Sequence, residues 1–381
     1  MVKKKILFVM PNLRGGGAEK VLINVLRNFN FEKYDVDLLL IEKTGVHLKN
    51  VPREVSIINL ISENRYGNRP GYLNVSLRKL ISLYSMFFLK ALMWMPFLVY
   101  RFKLKKTYDV EIGFLQWYTF RIVSNSPLDS KKIGWIHNDL MASTPAYCYE
   151  RDLLKLNLII SVSNEVKAKF IERHPSTKHI QHEVIYNMLD ESLITKKSLE
   201  RIEIQKKKIT LVSVGSLSKQ KRFDRLIAAL KILIQRGYDM ELWLLGEGEL
   251  KADLERFSES LLLSDYVKFL GYRENPYKYI RYADIFVCSS DFEGFPLVVG
   301  EAMILGVPIV TTDCTGPKEI LDYGRTGLVV SKSEEALADG VIKILVSDQL
   351  KTDYIKSMKT RKNIFNPVLI SERIGELIDS V

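Results

Sequence analysis

Residues 285–301 read Ile285-Phe286-Val287-Cys288-Ser289-Ser290-Asp291-Phe292-Glu293-Gly294-Phe295-Pro296-Leu297-Val298-Val299-Gly300-Glu301. The apolar run Ile285–Cys288 predicts a buried strand, and the polar turn after it predicts a loop feeding a helix from about Leu297. A loop of that kind lies at the carboxyl edge of a parallel sheet, where open α/β folds bind ligands. The first amides of the helix lack internal partners, so the loop can hold an anion. Glu293 stands before the helix and Glu301 about one turn inside it. On spacing alone, the pair also fits a helix-start carboxylate complementing the macrodipole plus a surface glutamate.

The same arrangement recurs along the chain. Lys5–Met10, Asp35–Ile41, Val110–Leu115, Lys132–Ile136 and Asn157–Val162 read as strands of a first array, each with a loop or helix start after it. Ile209–Val214, Met240–Leu245, Tyr266–Leu270 and Ile285–Cys288 form a second array. Between them Asp190–Lys208 is charged, has little apolar patterning and reads as a linker. A length of 381 residues fits two domains. The expected division is an α/β domain over 1–190, joined by a terminal helix at about 366–381, and a second over 191–365.

The bulk composition narrows the class. Hydrophobic residues make up 47% and charged ones 27%, as in ordinary soluble globular proteins. Cys148, Cys288 and Cys314 are odd in number and lack metal-ligand spacing, which fits a reducing cytoplasm without a disulfide framework. The apolar run before Pro11 is too short for a signal peptide and reads as a first strand. Residues 1–190 hold 28 basic and 17 acidic side chains, so the whole net charge of +11 lies there and the second half is balanced. Such a half suits a polyanion. No zinc-finger spacing or RNA-recognition sequence is present, so an anionic membrane is favoured over nucleic acid. Arg78–Lys106 supports this. Leu80–Tyr100 is rich in Leu, Met, Phe and Trp, flanked by basic residues and interrupted by Lys90 and Pro96. It is read as an interfacial helix rather than a spanning one, with a buried core helix as the alternative. Asp35 and Asp37 form an Asp-x-Asp, but they alternate with Val36 and Leu38 and are read as a solvated strand face, so no metal site is expected.

Several motifs occur together and in order: Glu293-Gly294-Phe295-Pro296-Leu297, Glu301, Ala302-Met303, Gly306-Val307-Pro308 and Gly316-Pro317-Lys318-Glu319. This resembles the donor-binding signature of glycosyltransferase family 4, retaining enzymes of the GT-B architecture of bacterial surface-polysaccharide type. The resemblance implies two Rossmann-like parallel-sheet domains facing a central cleft, with a C-terminal helix returning to the first. It implies transfer of a sugar, an N-acetylhexosamine or hexose, from a UDP-sugar to a lipid-linked saccharide in capsule, O-antigen or exopolysaccharide assembly. It implies an enzyme at the cytoplasmic face of the membrane that needs neither metal nor cofactor.

By the same resemblance Gly16 and Gly17, in Gly15-Gly16-Gly17-Ala18-Glu19, line the cleft near the donor phosphates and the acceptor. His137 faces the donor sugar. The family pattern Gly-Arg-Leu followed by Lys-Gly is matched by Gly215, Leu217 and Lys221, which makes Lys221 the expected diphosphate ligand. Ser216 stands where the family has arginine and Arg222 where it has glycine, so a second positive charge would come from Lys219 or Arg222. Tyr272 and Arg273 follow a strand whose loop meets the nucleobase in the family. Gly294, Phe295, Pro296 and Leu297 would hold phosphates, Glu301 the ribose hydroxyls, and Glu293 the hydroxyls and oxocarbenium-like centre of the sugar. Two rival readings are a sugar-nucleotide 2-epimerase of the same architecture and a non-catalytic sugar-nucleotide-binding protein.

Overall fold

The structure is a computed structural model that describes residues 2–61, 95, 97–104, 106–116, 118–138 and 150–381. The chain divides into two compact units. One comprises Met1–Ile185 with Pro367–Val381, and the other Tyr186–Asn366.

The first unit carries β1 (Lys4–Met10), β2 (Tyr34–Glu42), β3 (Ser56–Ile61), β4 (Val110–Gly113), β5 (Lys131–Ile136), β6 (Leu158–Ser161) and β7 (Gln181–Val184). They form one parallel sheet in the order β3-β2-β1-β4-β5-β6-β7. Ile6 to Met10 are fully buried, as expected of a central strand covered on both faces. Two strands were not expected. β7 reads Gln-His-Glu-Val, a polar edge strand without the apolar run that marks its neighbours. β3 pairs with β2 at the opposite edge.

The second unit carries β8 (Ile209–Val214), β9 (Met240–Leu245), β10 (Val267–Gly271), β11 (Ile285–Cys288), β12 (Ile309–Thr312) and β13 (Leu328–Val330). Its parallel sheet runs β10-β9-β8-β11-β12-β13. Both sheets wind outward from their first strand, then return and continue on its other side. That reversal places a topological switch between β1 and β4 in one unit and between β8 and β11 in the other.

Three expectations need correction. The expected linker contains helix Glu191–Ser198, whose first turn is capped by the Asp190 carboxylate accepting from the Leu193 N–H at 2.9 Å. Asn275 Nδ2 donates to Lys197 O at 2.9 Å, so this helix is part of the second unit. The chain passes between units at Ile185/Tyr186.

The Asp35–Asp37 face is not simply solvated. β2 is an interior strand, and Asp37 is buried, accepting from Tyr108 OH at 2.7 Å and Lys106 Nζ at 3.1 Å. Lys106 also reaches Asp35 at 3.3 Å, so an ammonium balances both carboxylates. The third correction concerns Arg78–Lys106, most of which lies outside the described residues. At its described end, helix Phe97–Phe102 buries Val99 and Tyr100 with Leu104 against Leu7, Leu39 and Ile122, while Phe97 and Phe102 are exposed. One face of that end is core.

The terminal helix Pro367–Ser380 belongs to the first unit. Lys4 Nζ donates to Ile378 O at 2.7 Å, Tyr34 OH donates to Gly375 O at 3.3 Å, and Arg373 pairs with Glu183 at 3.2 Å. Among the described residues no helix is long and apolar enough to cross a membrane.

Candidate active site

In the second unit, the loops after β8 and β11 emerge side by side at the switch point. Asp291 N–H donates to Gln220 O at 2.9 Å, Ser289 Oγ to Lys221 O at 2.8 Å, and Gln220 Nε2 to Phe292 O at 2.8 Å. These bonds fix the two loops to each other. They bring Lys221 Nζ to 2.5 Å from Glu293 Oε1, and Ser290 Oγ donates to the same oxygen at 2.7 Å. Burial pushes the Lys221 ammonium toward a lower pKa. The Glu293 charge, assisted by Cys288, outweighs it and holds the pKa above the ordinary lysine value. Two residues expected at the donor site on separate grounds thus form a charge pair with little solvent around it.

The rest of the expected donor site has mixed roles. Pro296 is the residue preceding helix Leu297–Ile304, in extended conformation, and Leu297 opens the helix. The Phe295 ring is buried, stacking on Tyr186 at 4.8 Å and meeting Phe365 at 5.9 Å. Its carbonyl accepts from Asn187 Nδ2 at 2.9 Å. The Phe295 side chain thus shapes the loop. Glu301 is fully buried one turn into the helix. Gly316 explains why the later Gly-Pro motif accompanies this loop. A Cβ there would lie 2.4 Å from Gly294 O, so only glycine lets helix Thr315–Ile320 pack beneath Glu293-Gly294.

Gly215 follows β8 directly, and its N–H donates to Leu245 O at 2.9 Å. Gly246, after β9, holds φ +140°, and a Cβ there would lie 1.8 Å from Gly215 O, so the position is closed to any side chain. Tyr272 and Arg273 follow β10, the sheet edge. Both are exposed, and Arg273 lies over the Tyr279 ring at 6.0 Å. They belong to the same edge as Lys221 but stand beyond β9 from it.

Arg222 has φ +49° and ψ +46°, the left-handed conformation. That accounts for the family's glycine at this position. The arginine compensates with its side chain: Nε and Nη2 donate to Asp224 at 3.0 and 2.9 Å, and Nη1 to Asp291 at 3.2 Å.

In the first unit, Gly16 is the cap residue of helix Gly17–Arg27. The Glu19 carboxylate folds back against it, so close that a Cβ on Gly16 would meet Oε2 at 2.3 Å. Burial raises the Glu19 pKa, opposed by hydrogen bonds from its own N–H and that of Gly16. The Gly16 amide is therefore already engaged in a capping arrangement. A Cβ on Gly17 would meet nothing within 4 Å, so internal packing does not require glycine there.

His137 follows β5 and is buried. Its ring packs on Phe114 at 4.4 Å and stacks near Trp135 at 5.8 Å. Burial lowers its pKa to about 3, so the imidazole is neutral near pH 7. Among the described residues neither ring nitrogen has a hydrogen-bond partner. Its backbone N–H donates to Gln116 Oε1 at 3.2 Å, and Gln116 Nε2 is likewise buried without a partner there. Gln116 was missed in the sequence, where a lone glutamine after a strand carries no signal. Asp139, two residues on, lies outside the described residues, as does Cys148. Among the described residues no three or more His, Cys, Asp or Glu gather as a metal site.

Residues 195–361 match the family described as glycosyl transferases group 1. The chain is 28% identical over 286 residues to an uncharacterized glycosyltransferase of Methanocaldococcus jannaschii, covering 66% of this chain and 69% of that protein. It is 36% identical over 191 residues to the N-acetylgalactosamine-N,N'-diacetylbacillosaminyl-diphospho-undecaprenol 4-alpha-N-acetylgalactosaminyltransferase of Campylobacter jejuni, covering 50% of this chain and 51% of that one. The solved structure of Anabaena HepE in complex with UDP superposes with a TM-score of 0.71 at 20% identity, covering 99% of this chain and 100% of that one. At that identity the likeness is one of fold.

Proposed function

We propose that the chain, which has the GT-B fold and whose residues 195–361 match the group 1 glycosyl transferases, moves an N-acetylhexosamine or hexose from a UDP-sugar to a lipid-linked saccharide, with retention at the anomeric carbon. The observation that carries this reading is the Lys221–Glu293 pair at the β8/β11 switch point, 2.5 Å apart and beside the start of helix Leu297–Ile304. A cation and free helix amides suit a departing diphosphate, and a carboxylate suits sugar hydroxyls and the positive charge that develops at the anomeric carbon.

In the proposed reaction the bond from the anomeric carbon to phosphate oxygen breaks, and its electron pair leaves with the diphosphate. An acceptor hydroxyl forms the new bond on the same face, and its proton passes to the departing phosphate oxygen. Lys221 and the amides after Gly294 stabilise the leaving group, so no metal or cofactor is needed. Glu301 takes the ribose hydroxyls. The neutral His137 supplies one donor and one acceptor to hydroxyl groups of substrate.

The lipid-linked acceptor is supported by the name of the Campylobacter relative, and the UDP by the nucleotide bound in the Anabaena HepE complex. Work on capsule or related surface polysaccharide would place the enzyme on the cytoplasmic face of the membrane, held there by the basic first unit. Purified protein incubated with a panel of nucleotide sugars, with and without a diphospho-polyprenol saccharide, tests the reading. Acceptor-dependent release of UDP with a mass gain of one sugar on the lipid supports it. An epimerised nucleotide sugar formed without acceptor supports the 2-epimerase instead, and binding without turnover supports a non-catalytic protein.

A further inference from the structure

The charges on the donor loop leave it with less free positive charge than its sequence suggests. Ser216-Leu217-Ser218-Lys219-Gln220-Lys221-Arg222 carries three cations. Lys221 is paired with Glu293 at 2.5 Å, so the two together bring no net charge to an incoming anion. Arg222 is shared between Asp224 and Asp291. The buried Arg225 is spent on Asp291 at 2.7 Å and on Ser289 O at 2.9 Å. Two arginines thus face two aspartates and cancel. Lys219 is different. It is exposed, it lies on the same short 3-10 turn as Lys221, and it has no acidic or carbonyl partner among the described residues.

A diphosphate is a multiply charged anion, and moving it from water onto a protein edge requires uncompensated positive charge within a few ångströms. Arg222 cannot provide it without abandoning two carboxylates and exposing its left-handed backbone strain uncompensated. Ser216, which is exposed, contributes a hydroxyl and no charge. We propose that Lys219 is the second diphosphate-binding residue of this site, the exposed cation that first captures the anion, while Lys221 acts at the bond that breaks. The proposal rests on the donor-site reading above and adds to it the residue that replaces the arginine absent at position 216. Among the described residues its side chain holds no ion pair, so none has to be broken for it to bind a phosphate oxygen.

Calorimetric titration of the full chain with UDP, uridine and inorganic diphosphate, at low and high salt, tests this. In Lys219→Ala, UDP and diphosphate should bind about tenfold more weakly, with a flatter salt dependence, while uridine is unchanged. Lys219→Arg should restore the affinity. If Lys219→Ala binds UDP as the wild type does while Lys221→Ala loses affinity, the role of Lys219 is overturned and the donor site stands. Equal weakening for UDP and uridine would also overturn it, because the change would then be a distortion of the loop. If the wild type binds neither UDP nor diphosphate, the donor-site reading itself fails, and Lys219 with it.

Discussion

Lys221→Met tests the centre of the site. The ion pair is well screened from water, with the Lys221 side chain 18% exposed and that of Glu293 9% exposed. Methionine keeps the length of the side chain and removes the charge. Glu293 then retains Ser290 Oγ at 2.7 Å and Gln220 Nε2 at 3.5 Å, which do not replace a full positive charge. Removing one partner of a buried pair costs about 3–5 kcal/mol, because a charge is left without compensation. Urea unfolding should show a loss of that order in the second unit. Glu293→Gln in the same chain removes the stranded charge, so the double variant should regain more than half of the lost stability. Turnover should behave differently. Lys221→Met loses about 2–4 kcal/mol of transition-state stabilisation, and the double variant recovers none of it, because the leaving diphosphate still lacks its cation. Recovery of stability without recovery of kcat/KM on the second substitution is the signature of a functional pair. A Lys221→Met variant less than about 1 kcal/mol less stable than the wild type, or a double variant with restored turnover, would refute the reasoning.

Other expectations are more local. His137 has a folded-state pKa of about 3, below that of an unfolded histidine, so the unfolded chain binds the extra proton between about pH 6.5 and 3 and stability falls as pH drops through that window. The first unit should lose about 2–3 kcal/mol between pH 7 and 4.5 from this group alone, and His137→Asn, measured by urea unfolding at both pH values, should lose correspondingly less. At the left-handed position 222, Arg222→Gly should be about 1 kcal/mol more stable than Arg222→Ala, since both lose the Asp224 and Asp291 contacts and alanine alone retains the strain; equal melting temperatures would contradict this. Lys106 is committed to Asp35 and Asp37, so a membrane test should spare it. Arg101→Ser with Lys103→Ser should lower co-sedimentation with anionic vesicles at low salt, and a wild-type protein that stays in the supernatant under those conditions would defeat the membrane reading.

Much of this protein was determined by local sequence. The strands Ile209–Val214, Met240–Leu245 and Ile285–Cys288 coincide with β8, β9 and β11, because strands buried on both faces are continuous apolar runs. The loop Glu293-Gly294-Phe295-Pro296 and the helix start at Leu297 were equally readable, from a proline and the change of period. Other features depended on partners distant in sequence. Lys221 and Glu293 are 72 residues apart, and their contact exists because β8 and β11 become neighbours when the sheet reverses direction. The alternation around Asp37 gave a face but not what covers it, and Tyr108 and Lys106 arrive from 71 and 69 residues away. The polar strand β7 forms because β6 offers it a row of backbone partners, which residue composition does not encode. Position 222 joins the two kinds of information. A residue in place of glycine was visible in the sequence, while its left-handed backbone, and the two carboxylates that hold its charge away from a ligand, were decided by tertiary structure, since φ and an ion pair both depend on where the surrounding chain is held.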